Sequence, residues 1–163
     1  MRNQSRVVAF GGMMAALALV IMNLGGLIPV ATFVCPMLCM LILSFVVKMC
    51  GRRIGWAWYG AVAILSVLMA PDKEAAAVFA FIGYYPVVKP KLDRLKFSLI
   101  LKVLLFNTVI LLMYVLLINL FGMTQIAADY QELGALMTVI MLVLGNVTFF
   151  LLDKVLTRFS RIK

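Results

Sequence analysis

Histidine is absent from the 163-residue chain, and acidic residues number only six. Without histidine there is no Ser–His or Cys–His catalytic pair and no HExxH zinc site. The chain also has no GxxxxGK[ST] sequence, which excludes ATP hydrolysis by a P-loop. The carboxylates fall in the breaks between apolar runs or at the ends of those runs, so no acid pair lies within a run. We therefore expect a protein that is not an enzyme and that holds no metal and no cofactor.

Cysteine is also scarce, with three residues in the whole chain. Cys35 and Cys39 are four positions apart on one helical face, with Pro36 between them. A metal site would need further ligands, and the surrounding sequence offers neither histidine nor a nearby carboxylate. We therefore interpret this pair as packing residues beside a proline kink. Cys50 is expected to be a reduced thiol at the cytoplasmic edge, with palmitoylation as the alternative.

Apolar residues, in contrast, make up 66% of the chain, and charged residues only 13%. They form long runs, and a helix needs about 20 such residues to cross a bilayer with its backbone groups paired. We expect an all-α integral membrane protein of the cell membrane, one domain over residues 1–163, built as a bundle of six transmembrane helices. The predicted helices are Val7–Ile28, Val30–Val47, Ile54–Ala70, Ala75–Val88, Phe97–Phe121 and Ala135–Leu152. The first is expected to be a span rather than a cleaved signal peptide, because its apolar stretch is too long for one.

The third and fourth predicted helices are short, and a re-entrant hairpin is the alternative interpretation. The tip of such a hairpin would place Asp72, Lys73 and Glu74 inside the bilayer. Each charge there costs several kcal/mol unless it is paired or hydrated. Two thin crossings are therefore favoured, and either arrangement returns the chain to the same side of the membrane.

Positive charge is concentrated in alternate breaks. With both termini and the breaks at Lys48–Arg53 and Lys89–Lys96 in the cytoplasm, 14 of the 15 Lys and Arg residues are on the cytoplasmic side, counting Lys102 near the start of the fifth helix, and only Lys73 is external. Cytoplasmic loops of membrane proteins are enriched in these two residues, so we expect cytoplasmic N- and C-termini. This distribution, together with anionic lipid, accounts for the net charge of +9 without any nucleic-acid partner.

A few polar residues lie within the apolar runs. Asn107 and Asn146 are expected to form hydrogen bonds between helices, because an amide facing lipid would lack a partner. The alternative is that such residues line a solute site. Lys102 is expected to extend back toward the cytoplasm, as long cationic side chains near helix ends do. Because we expect no internal ion pair and no buried carboxylate, coupling to H⁺ or Na⁺ is disfavoured, and active transport would need a partner as its energy source.

The first predicted helix carries a stripe of small residues. Gly11 and Ala15, and likewise Gly12 and Ala16, are four positions apart, a spacing that lets a second helix approach closely. Such packing can serve the bundle itself or contact with another membrane protein. The basic stretch Lys89–Lys96 supports docking to a partner and contact with lipid equally well.

Six predicted helices with cytoplasmic ends in a chain of this length resemble the substrate-binding S components of bacterial energy-coupling factor transporters. The closest local likeness is Val7–Val20, VVAFGGMMAALALV, with its basic flank and alanine-rich stripe. The segment Gly25–Ile28, followed by Pro29, is similar to the first external connection of that family. The resemblance implies capture of a vitamin or other micronutrient at the outer face. It also implies docking of the first helices onto a transmembrane coupling subunit that two ATPase subunits drive.

Under this resemblance, the residues that dock onto the coupling subunit are Gly11, Gly12, Ala15 and Ala16. Candidate solute-binding residues come from the outer halves of the helices and their loops, chosen by depth and chemistry. They are Asn23, Lys73, Glu74, Tyr114, Asn119, Gln125, Asp129 and Tyr130. Two other functions stay open. One is a small structural or assembly membrane protein without a solute, and the other is a facilitator or channel for a small solute or lipid.

Overall fold

The described part of the chain is helical, with short turns and no strand. The computed structural model describes residues 2–25, 31–94, 97–121 and 143–158. Its helices are α1 (Arg2–Gly25), α2 (Ala31–Cys50), α3 (Arg52–Met69), α4 (Lys73–Ile82), α5 (Tyr85–Leu92), α6 (Ser98–Phe121) and α7 (residues 143–158). These helices fall into two compact units, which we call unit 1 (Met1–Arg94) and unit 2 (Leu95–Lys163).

Three of the described helices are long and apolar enough to cross a membrane. They are the spans Ser5–Gly25 in α1, Thr32–Cys50 in α2 and Ser98–Leu116 in α6. At 1.5 Å per residue, a helix of 20 residues is about 30 Å long, which matches the hydrocarbon core of a bilayer. The prediction of a helical membrane protein is confirmed to this extent.

The outer faces of the helices carry large apolar side chains. Val8 on α1 and Leu68 on α3 are each 71% exposed, and many Leu, Val, Ile and Phe side chains on α6 and α7 are similarly open. A soluble monomer rarely exposes so much continuous apolar surface, because water disfavours it. Lipid is therefore the solvent that suits these faces.

Unit 1 is organised around α2, which packs against α1, α3, α4 and α5. Its centre consists of large side chains that are almost fully buried. These are Met22, Met40, Leu43, Phe79, Ile82 and Tyr85. The connection from α2 to α3 is a single residue, Gly51, whose φ of 90° is a left-handed conformation that favours glycine. This tight turn makes α2 and α3 adjacent.

Hydrogen bonds from side chains to backbone carbonyls also link the helices of unit 1. The Nε1–H of Trp58 on α3 donates to the carbonyl of Gly11 on α1 over 3.1 Å. The thiol of Cys39 on α2 donates to the carbonyl of Ala18 on α1 over 3.4 Å. Both Cys35 and Cys39 are free thiols buried in the packing, as predicted. Such bonds hold helices together where no water competes for the donor.

Where the sequence predicts one helix over Ala75–Val88, the structure has two short helices. The helix α4 ends at Ile82 and is followed by its C-cap Gly83, where an added Cβ would collide with the carbonyl oxygen of Phe79. Pro86 lies in the first turn of α5, because proline fits the first turn of a helix but cannot continue the one before it. By residue count α4 is about 15 Å long and α5 about 12 Å, so neither crosses a bilayer alone. Most of α4 is buried within unit 1.

Unit 2 contains α6 and α7. The rings of Phe106 and Phe149 stack with their centroids 4.6 Å apart. Beside them, Gly145 lies so close that an added Cβ would be 3.3 Å from the Phe106 ring. Contacts between residues 102 and 153, and between residues 107 and 146, show that the two helices run antiparallel. The predicted start of the last helix, Ala135, lies outside the described residues.

We expect Trp58→Phe to lower the stability of the protein by about 1 kcal/mol, because it removes the bond to Gly11 while keeping an aromatic ring in place. Thermal unfolding in a mild detergent measures the change. Trp56→Phe is the matched control, since Trp56 lies on the same helix but is 43% exposed. An equal loss in both variants would contradict a specific role for the Trp58 hydrogen bond.

Candidate functional site

One polar cluster lies where α2 and α4 begin. The hydroxyl of Thr32 donates to Oδ2 of Asp72 over 2.9 Å, and the backbone N–H of Ala75 donates to Oδ1 of Asp72 over 3.0 Å. Asp72 is thus the N-cap of α4, and its negative charge also suits the positive end of the helix dipole. We call Thr32, Asp72, Lys73 and Glu74 the polar end of unit 1.

Two predicted solute-binding residues belong to this polar end. The Nζ of Lys73 donates to the carbonyls of Val67 over 2.9 Å and of Leu68 over 3.4 Å, in the last turn of α3. A cation there satisfies carbonyls that have no partner within the helix. Glu74 is half-buried in the first turn of α4. The structure therefore places both residues beside Asp72, and Lys73 also binds the end of α3.

Of the other predicted solute-binding residues, the structure describes the side chains of Asn23 and Tyr114. Asn23, near the end of α1, donates its amide to the carbonyl of Leu19 in its own helix over 2.8 Å. Tyr114 is half-buried on α6, in unit 2. Asn119 lies in the last turn of α6, but its side chain is outside the described part of the chain. The remaining predictions on Gln125, Asp129 and Tyr130 also fall outside the described residues.

The predicted docking residues of α1 divide between two faces of that helix. Gly11 is buried, and its carbonyl accepts the Trp58 bond within unit 1. Gly12 and Ala16 are exposed, and Ala15 is half-buried between the two faces. Ser5 and Ala9 are also exposed, so positions 5, 9, 12 and 16 form one continuous row along the helix. We call Ser5, Ala9, Gly12 and Ala16 the small-residue row.

A second polar cluster lies in unit 2, and the sequence analysis missed its main feature. The Nζ of Lys102 on α6 is 3.3 Å from both carboxylate oxygens of Asp153 on α7. Lys102 is only 8% exposed. The expectation of no internal ion pair is therefore wrong. A charge buried in an apolar protein needs an opposite charge beside it, and Asp153 provides one.

A signal for this pair was present in the sequence. Lys102 lies a little more than one turn inside one apolar segment and Asp153 directly follows another, and the predicted topology puts both at the same side of the membrane. Two opposite charges at one depth in antiparallel neighbouring helices are candidates for pairing. The sequence does not show that α6 and α7 are neighbours, because Lys102 and Asp153 are 51 positions apart.

The predicted hydrogen bonding between intramembrane amides is confirmed for one pair. Asn107 Nδ2 donates to Asn146 Oδ1 over 3.2 Å, and Asn146 Nδ2 donates to Asn107 Oδ1 over 2.9 Å. This reciprocal arrangement satisfies both side chains at once within the bundle. Thr148 instead donates to carbonyls of its own helix, those of Leu144 and Gly145.

A cleft of about 680 Å³ lies between α6 and α7, next to the ion pair. Its polar wall includes Lys102, Asp153, Asn146 and Ser98. Its other wall is apolar and consists of Leu99, Val103, Val147, Phe149, Phe150 and Leu151. The cleft thus places an ion pair beside apolar side chains. Among the described residues no group of three potential metal ligands occurs.

Comparison with known proteins gives no relative for this chain: no family model, no curated protein and no solved structure matches it.

We expect Lys102→Met and Asp153→Leu each to lower the stability of the protein by about 1–3 kcal/mol. This loss lies between those seen when an exposed ion pair and a fully buried ion pair lose one partner. Asp153→Leu should lower the stability more than Lys102→Met does, because it leaves the more deeply buried charge, that of Lys102, without the opposite charge of Asp153. The double variant should be close to the wild type, since a buried pair is often no more stable than apolar residues of similar volume. Chemical unfolding of all four proteins in detergent measures this cycle. Strictly additive losses would show that the two side chains do not interact.

Proposed function

We propose that this protein is the membrane-embedded solute-binding subunit of an ATP-driven uptake transporter in a bacterial cell membrane. It would capture a vitamin or similar micronutrient at the outer face and take its energy from partner subunits. This is the role of the S components that the sequence resembles. The absence of a P-loop sequence supports a need for an ATPase partner.

The observation that carries the proposal is the division of α1 into two different faces. One face, with Gly11, Ala18 and Met22, is buried within unit 1. The opposite face exposes the small-residue row, flanked by exposed large side chains such as Val8, Met13 and Leu17. In lipid, small residues allow two helices to come into close contact. A helix face that contacts only lipid has no need of small residues. A row of them on the outer face therefore suits a helix of a partner subunit.

The proposal includes six crossings with both termini in the cytoplasm. In it, α3 is the third crossing, and α4 and α5 together form the fourth. Support comes from the charges at the two ends of that helix pair, with Asp72 and Glu74 at the beginning of α4 and Lys89 and Lys91 in the last turn of α5. An excess of Lys on one side identifies the cytoplasmic side. In this topology the polar end of unit 1 faces outward, where a solute arrives.

A second candidate function is favoured by one observation in unit 2. The cleft beside Lys102 and Asp153 combines a charged pair with an apolar wall. Such a cleft suits a facilitator that handles an amphipathic molecule without ATP. This function and the structural or assembly role are the two alternatives to the proposed function.

We expect Gly12→Trp and Ala16→Trp to abolish association with a transmembrane coupling subunit and two ATPase subunits. A steric cost of about 1.4 kcal/mol already reduces association tenfold, and an indole in a close helix contact costs at least that. Affinity purification of the tagged chain from its native membrane, followed by protein identification, measures the association. Leu17→Trp is the matched control, because Leu17 is exposed on α1 beside the row. Intact assembly in both row variants would remove the docking role.

We expect native mass spectrometry of gently extracted protein to show a retained water-soluble molecule of vitamin size. Lys73→Met and Glu74→Gln should weaken its retention, because both residues lie at the polar end of unit 1. Asp93→Asn is the control, since Asp93 follows α5 at the opposite end of the helix pair. A protein without any retained solute, and without a thermal shift across a vitamin panel, would favour the structural role.

A further inference from the structure

The cleft of unit 2 combines features that a soluble ligand does not require. Five of its lining side chains are large, apolar and exposed: Leu99, Val103, Val147, Phe150 and Leu151. These residues belong to outward faces of α6 and α7, which suit lipid. An occupant of the cleft therefore contacts both apolar and charged side chains. Its volume of about 680 Å³ is comparable to sites for small organic ligands.

The polar wall lies close to the beginning of α6. Lys102 is four residues after Ser98, the first residue of the helix, which corresponds to about 6 Å along the axis. Ser98 and Leu99 also line the cleft and belong to the first turn, where N–H groups and the helix dipole favour an anion. On α7, Asp153 is followed by the exposed cations Lys154 and Arg158. These positions correspond to the level at which lipid headgroups meet acyl chains.

The ion pair also restricts the charge of the occupant. A purely anionic headgroup would be attracted by Lys102 and repelled by Asp153, and the two effects would largely cancel because the charges are 3.3 Å apart. A headgroup with one negative and one positive charge can place each against its opposite. A primary ammonium also donates hydrogen bonds to a carboxylate, which a quaternary ammonium cannot do.

We propose that this cleft binds one phospholipid with a primary-amine headgroup, of the phosphatidylethanolamine class. Its phosphate lies toward Lys102 and the first turn of α6, and its ammonium lies toward Asp153. An acyl chain follows the apolar wall past Val103, Val147 and Phe150. All described residues that line this site belong to unit 2, and the site does not depend on the proposed transport function.

The proposal is tested by native mass spectrometry after reconstitution in nanodiscs that hold equal amounts of phosphatidylethanolamine, phosphatidylglycerol and phosphatidylcholine with identical chains. The wild-type protein should retain one phosphatidylethanolamine in preference to the other two lipids. The double variant Lys102→Met/Asp153→Leu should lower this retention about tenfold, because it removes charge-assisted contacts and leaves no lone charge. Lys154→Met is the matched control, because this exposed lysine is next to Asp153 but does not line the cleft.

A second variant keeps the test independent of the ion pair. Val103→Trp should fill the cleft and lower retention, whereas Val115→Trp, at another exposed position of α6, should not. Equal retention of the three lipids, or unchanged retention in both the double variant and Val103→Trp, would overturn the proposal. Displacement of the lipid by an equal concentration of water-soluble glycerophosphoethanolamine would overturn the assignment to a lipid.

Discussion

The constraint that shapes this molecule is that a polar group removed from water must find its partner inside the protein. Helices meet this constraint for the backbone, and the side chains meet it one by one. Trp58 and Cys39 bond to carbonyls of α1, and Asn107 and Asn146 bond to each other. Among the described residues, the buried hydroxyl of Ser66 is an exception to this constraint, because it has no hydrogen-bond partner. These few bonds join helices whose remaining contacts are apolar.

The same constraint explains how a short helix can lie inside unit 1. The first N–H groups of α4 would be unpaired among apolar neighbours, and Asp72 accepts a bond from one of them. Thr32 in turn donates to Asp72, which connects the beginning of α4 to the beginning of α2. Lys73 binds the last carbonyls of α3. Three consecutive helices are therefore joined through two neighbouring residues, Asp72 and Lys73.

How much the sequence predicts depends on the range of the interaction. Long apolar runs correctly predict α1, α2 and α6, because length and composition decide a membrane span. Gly83 and Pro86 indicate the break within the fourth predicted helix, but they lie in a run of apolar residues, and that run predicts one continuous helix. The pairing of Lys102 with Asp153 depends on tertiary packing, which one sequence does not contain. The structure describes only part of the predicted solute site, because Gln125, Asp129 and Tyr130 lie outside the described residues.

Holding α6 and α7 together does not by itself account for the ion pair. Register between α6 and α7 is already fixed by the reciprocal amide bonds of Asn107 and Asn146 and by the stacked rings of Phe106 and Phe149. A buried pair is often no more stable than two apolar side chains, so holding the helices together does not require Lys102 and Asp153. What apolar residues could not supply is a fixed pair of opposite charges at the edge of a lipid-facing cleft. A ligand with the complementary pair of charges is the physical reason for keeping it there.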